Sequence, residues 1–193
     1  MIREFAEEIS MLLDIGIQRS LVGVILFGSS ASVHFPVTRH TDESTLFPAL
    51  NPGLPYSGGG TNTAAALNLL RTAAAQPSGA LDLRSGYVPI AIVVTDGVSN
   101  NRNATLNAAS ALHASNIYDQ VYAVGVSGAD ATELNAIASD PSLVFFTSNF
   151  DSTAIAALQQ SLTQQLCSNN NTSKLTITLL ILLSLNYLFC IQI

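Results

Sequence analysis

Two short segments bring oxygen donors together in an order that suits a divalent cation. One is Gly58-Gly59-Gly60-Thr61-Asn62-Thr63, a glycine loop that opens a helix on a threonine. The other is Ile90-Ala91-Ile92-Val93-Val94-Thr95-Asp96-Gly97, an apolar strand that ends on an aspartate. A carboxylate in that place is lifted out of the core onto the rim, and Gly97 permits a tight turn behind it. Hydroxyl, carboxylate and water oxygens in an octahedral shell suit Mg2+ or Mn2+. Taken singly, Thr61 reads as the N-cap of its helix and Asp96 as the cap of the next turn. Taken in this order, on strands whose carboxyl ends share one edge, they read as one site.

Other chemistries lack their residues. His34, His40 and His113 have no metal-ligand spacing and read as structural. No serine sits in a nucleophile elbow, and neither Cys167 nor Cys190 has a basic or helix-start setting. The glycine loop has no phosphate-loop lysine, and Gly125-Val126-Ser127-Gly128 lacks the dinucleotide spacing. With no catalytic pair, the chain reads as a binding protein rather than an enzyme.

The elements that position the rim follow from apolar periodicity. Helical spacing runs from Met1 to about Asp14 through Ile2, Phe5, Ile9 and Leu12–Leu13. Leu21–Phe27 is a buried strand, and Ser32–Phe35 a short one stopped by Pro36. Helices are expected at Thr61–Ala75, Asn103–Ser115, Ala131–Ser139 and Ser152–Leu166, and a short helix or turn at Thr41–Leu50. Strands are expected at Val88–Thr95, Val121–Val126 and Leu143–Thr147. Apolar strands alternating with amphipathic helices predict an α/β fold, a doubly wound, Rossmann-like, mostly parallel sheet covered on both faces.

Composition narrows the partners. The 193 residues carry 10% charged and 48% hydrophobic side chains, which fits a large core. The net charge is -6 with Lys174 the single lysine, so there is no basic patch for nucleic acid. The acidic Met1–Glu8 start is no signal peptide. Leu175–Ile193 carries no charge and, as a helix, would span about 28 Å, near the hydrocarbon thickness. It reads as a transmembrane helix or a GPI signal, the latter with Ser168 or Asn169 near the attachment point. The division is then a domain at 1–167, a polar linker at 168–174 and an apolar tail at 175–193. Asn103, Asn170 and Asn171 begin glycosylation triplets if the chain is extracellular.

The sequence resembles the von Willebrand factor type A domain of extracellular, collagen-associated and matrix proteins. The resemblance rests on Gly58 to Leu67, Ala91 to Ser99, Val121 to Val126, Gly23 to Gly28 and the closing Asp151 to Leu166 helix. It implies an adhesion module with an extracellular protein ligand, which the apolar tail would tether at the cell surface. It also implies a metal-ion-dependent adhesion site in which Thr61 and Asp96 are ligands. The family's third element, an Asp-x-Ser-x-Ser loop after its first strand, is absent, so a metal would be held weakly. The family's first strand is central in its sheet. On this reading the chain is a truncated product that starts inside the first helix, with Cys167 lacking its family partner. The two neighbours of the missing strand would then be left with unpaired edges. The alternative implied is an interaction domain with no metal function.

Overall fold

The computed structural model describes residues 2–51, 54–55, 59–74, 81, 83, 86–147, 156–157, 160–161, 164 and 177–184. Leu21–Phe27 (β1) is buried at every position, as its unbroken apolar run requires of a strand covered on both faces. Ala31–Phe35 (β2) pairs antiparallel to β1 at the sheet edge and alternates in burial. Val88–Thr95 (β3), Gln120–Val126 (β4) and Val144–Thr147 (β5) pair in parallel. The sheet is therefore mixed only at its β2 edge.

Helices Ile2–Ser10 (α1), Glu43–Leu50 (α2), Thr63–Ala74 (α3), Arg102–Ala114 (α4) and Ala131–Ile137 (α5) cover it. The layer of α3, α4 and α5 is continuous, with α3 also against β1, while α1 and α2 pack on one another. Each helix buries an apolar stripe at helical spacing: Phe5, Ala6 and Ile9 on α1; Leu67 and Leu70 on α3; Ala108 and Leu112 on α4. Of the expected Ser152–Leu166 helix, Ala156, Ala157, Gln160, Ser161 and Gln164 are described, all helical.

The last strand corrects two expectations. Ile177–Ser184 (β6) lies between β1 and β3, giving the order β2-β1-β6-β3-β4-β5. It runs parallel to both neighbours, from Leu21↔Thr178 to Phe27↔Ser184 on one side. On the other, the pairs run from Val88↔Ile177 to Val94↔Leu183. The tail expected as a transmembrane or GPI-signal helix thus supplies the central strand. Among the described residues no helix is long and apolar enough to cross a membrane. The physical reason is a shared signature, because a strand buried on both faces and a lipid-facing helix both read as unbroken apolar sequence. Nor are the edges of β1 and β3 unpaired, since β6 hydrogen-bonds to each.

Several boundaries also moved by a few residues, and the hydrogen bonds explain two of them. Helix α1 stops at Ser10 rather than Asp14. There the Ser10 hydroxyl donates to the Ala6 carbonyl at 2.7 Å, and Leu12 and Leu13 turn tighter onto the carbonyls of Ile9 and Ser10. The Asp14 carbonyl is then taken by the Ser20 N–H at 3.0 Å, which closes a loop ahead of β1. Helix α3 starts at Thr63 because Asn62, not Thr61, caps it, accepting from the Ala65 N–H at 3.1 Å. The expected linker 168–174, Cys167, Cys190, Asn170 and Asn171 lie outside the described residues.

Candidate functional site at the carboxyl edge of the sheet

Three loops meet at the carboxyl edge. They are Gly28–Ser30 after β1, Gly59–Asn62 before α3 and Asp96–Asn101 after β3. β3 delivers Asp96 to the rim: Ile90 to Thr95 are buried, and Asp96 is the first residue to emerge. The turn behind it is closed by the Thr95 hydroxyl, which donates to the Gly97 carbonyl at 3.3 Å. Thr61 is buried at 6% exposure, and a Cβ built on Gly97 would lie 3.8 Å from its Oγ1. The Thr61 hydroxyl therefore sits over the Asp96–Gly97 turn.

The glycine loop is held from both sides. The Gly60 N–H donates to Ser29 Oγ at 3.0 Å, and the Asn62 N–H to the Gly28 carbonyl at 2.7 Å. Asn62 Nδ2 adds a bond to the Ser29 carbonyl at 3.2 Å. From the other side, Asn100 brackets Thr61 twice. The Thr61 N–H donates to Asn100 Oδ1 at 3.0 Å, and the Asn100 N–H donates to the Thr61 carbonyl at 2.8 Å. Glycine is needed where these approaches are closest. Gly59 has φ +122 with Ser29 Oγ 2.8 Å from its would-be Cβ, and a Cβ on Gly60 would overlap the Asn100 amide.

Behind the rim, Glu133 on α5 is 3% exposed and accepts from Ser99 twice. One bond comes from the Ser99 N–H at 3.0 Å and the other from the Ser99 hydroxyl. Asp130 caps α5 through the N–H groups of Thr132 and Glu133, and meets Arg102 at 3.2 Å. The Glu133 N–H, the Thr132 N–H and the Arg102 guanidinium hold the Asp130 carboxyl below its ordinary value. The Asp96 turn is thus tied to α3 through Asn100 and to α5 through Glu133. Asn101, not Asp96, caps the helix that follows, accepting from the Ala104 N–H at 3.0 Å.

Sequence reasoning singled out Thr61 and Asp96 and missed Ser29, Asn100 and Glu133. Asn100 and Ser29 carry no pattern of their own. Glu133 had a signal: it stands four residues before Ile137 on the buried stripe of α5, where a carboxylate needs an internal partner. Asn103 is exposed on the first turn of α4. The histidines take structural places. His34 and His40 pack on Phe35, and burial lowers the pKa of both. His113 Nε2 donates to the Ala136 carbonyl at 3.0 Å.

As a metal centre the rim is sparse. A hard cation takes about six oxygens, and the side chains brought to this turn offer one hydroxyl and one carboxylate. Ser29 Oγ is engaged by Gly60, and Asn100 Oδ1 by Thr61. Among the described residues no group of three His, Cys, Asp or Glu could hold an ion. With one hydroxyl and one carboxylate, these residues would leave most of a cation's shell to water, so an ion here would be held weakly.

A family model described as the von Willebrand factor type A domain matches residues 1–164. The chain is 29% identical over 168 residues to the collagen alpha-1(XII) chain of Notophthalmus viridescens, covering 87% of this chain and 17% of that one. It is 31% identical over 140 residues to matrilin-3 of Homo sapiens, covering 72% of this chain and 28% of that one. It spans less than a third of either relative, both of them extracellular matrix proteins. Among solved structures, proximal thread matrix protein 1 from the mussel byssus, with a zinc-occupied MIDAS motif, superposes with a TM-score of 0.70 at 22% identity. That match covers 83% of this chain and 39% of that one, and is a likeness of fold.

Proposed function

The chain belongs to the von Willebrand factor type A domain family, and on that footing we propose that it is a protein-binding module of the extracellular matrix or cell surface. It works by holding a protein ligand at the carboxyl edge of its sheet, not by catalysis. The observation that carries this reading is the double bracket between Thr61 and Asn100, which locks the glycine loop to the Asp96 turn. A rim fixed in this way presents a preformed surface, and a preformed surface loses less entropy on binding. Val98 stands on that turn at 53% exposure and supplies an apolar contact beside the Asp96 carboxylate.

Binding of this kind does not depend on Mg2+ or Mn2+. Thr61 and Asp96 are the remainder of a metal-ion-dependent adhesion site, and two donors leave most of a cation's shell to water. The zinc-occupied motif belongs to the mussel protein. Membrane attachment has no part in the proposal, because Ile177–Ser184 is used inside the sheet.

The test is surface binding of the chain to purified collagens and matrilins in Mg2+ and in EDTA. The expected result is saturable binding that survives EDTA and falls at least tenfold with Val98→Asp. Binding that ignores Val98→Asp would place the contact away from the rim. Binding lost in EDTA would restore the metal to the mechanism.

A further inference from the structure

We propose that the slot between β1 and β3 is a strand-exchange site through which two copies of this chain join, each lending Ile177–Ser184 to the other. Among the described strands, β1 pairs only with β2 and β6, and β3 only with β4 and β6. Without β6 the sheet is two separate pieces, β2-β1 and β3-β4-β5. Each piece then shows an apolar strand with a full row of open backbone donors and acceptors. The occupant such a slot fits is an apolar segment running parallel to both walls.

The chain carries one such segment, reached by a long connection. Residues 148–176 separate β5 from β6. The path from the carboxyl end of β5 to the amino end of β6 crosses β4 and β3, about 14 Å at the usual strand spacing. Returning along the sheet adds about 25 Å at about 3.3 Å per residue. Even with a helical stretch inside it, the connection spans roughly 60 Å or more, well beyond that need. The slack lets the same strand reach the slot of a neighbouring copy.

The second copy is favoured over an unrelated partner because its segment is identical. The closed chain and the exchanged dimer have the same β6 pairs, from Leu21↔Thr178 to Val94↔Leu183. Exchange therefore costs no strand pairing, and concentration decides between the two forms. A released Ile-Thr-Leu-Leu-Ile-Leu-Leu-Ser strand has no charge or proline to keep it apart from another edge.

The test uses the full chain with Cys167→Ser and Cys190→Ser and one engineered pair at slot register. The first pair is Ala91→Cys with Leu180→Cys. The second is Pro89→Cys with Thr178→Cys, at the amino end of the slot where Pro89 is only half-buried, in case the first disturbs the core. The protein is refolded at micromolar and at near-millimolar concentration, oxidised, and run on a non-reducing gel. A strand tethered in the same chain competes at an effective concentration of about millimolar. We expect linked monomer in the dilute sample and linked dimer, at least several-fold enriched, in the concentrated one. Single-cysteine controls should give no such dimer. Linked monomer alone at both concentrations would overturn the exchange. No link at either pair would overturn the slot assignment itself.

Discussion

The tie between Glu133 and Ser99 gives the sharpest prediction of the rim's energetics. Glu133→Ala removes the buried carboxylate and leaves the Ser99 N–H and hydroxyl without the acceptor they share. Hydrogen bonds to a carboxylate contribute about 1.5–3 kcal/mol, and a buried donor left unmade costs about 1–3 kcal/mol. Both terms act on one residue, so they overlap, and a total of about 3 kcal/mol is expected. At about 2–4 °C per kcal/mol for a chain of this size, the melting temperature falls by roughly 10 °C. Glu133→Gln should cost about 1 kcal/mol, because its carbonyl still accepts from the Ser99 N–H while the rotatable hydroxyl accepts from its amide. Glu133→Leu keeps the volume and removes both acceptors, so it should resemble the alanine variant. The assay is urea unfolding of all three, with amide exchange at Ser99 as the local readout. Alanine and glutamine variants of equal stability would refute the reasoning, as would an alanine variant within about 1 kcal/mol of the parent.

Gly60→Ala pushes a methyl into the Asn100 amide and should break the Thr61 bracket, costing about 1–3 kcal/mol in urea unfolding; a neutral result would refute the close approach. The carboxyls of Asp42, Asp130 and Asp140 are held below the ordinary aspartate value, chiefly by the N–H and hydroxyl groups they cap. Their contribution is complete above that value and is lost as pH falls through the lower folded one, so stability should drop in acid. Asp130→Asn keeps the cap and should flatten part of that drop, read from melting temperature against pH. Burial pushes the Tyr118 phenol well above 10.0 and Tyr122 up to about 12. Stability from these two is full below the ordinary phenol value and is lost as pH rises through the folded ones. Their tyrosinate absorbance should appear together with unfolding, and ionisation in the folded chain would contradict their burial.

The strands that frame the rim were legible because each is a bounded apolar run. Leu21–Phe27 and Val88–Thr95 stand as expected to the residue. The Thr61 and Asp96 positions were legible because strand and glycine loop each point to the same edge. What joins them was not. Asn100 acts through a side chain and a backbone group at once, and nothing in an Asn-Asn-Arg stretch marks that geometry. Ser29 is one of two adjacent serines after β1, distinguished only by where the glycine loop folds back. The tail was misread for a different reason. Hydropathy measures how much apolar surface a segment must hide, not what hides it. Between protein and lipid the answer came from two vacant ladders elsewhere in the chain.

The position of β6 also sets a sequence of events. The five other described strands are synthesised before it, yet the middle of the sheet waits for it. Pairing Leu21 with Thr178 joins residues far apart in sequence, which places folding among topologies of high contact order. β1 and β3 are therefore open to other edges until β6 has been made. During that interval, not in the finished domain, it is most exposed to aggregation and most dependent on chaperones.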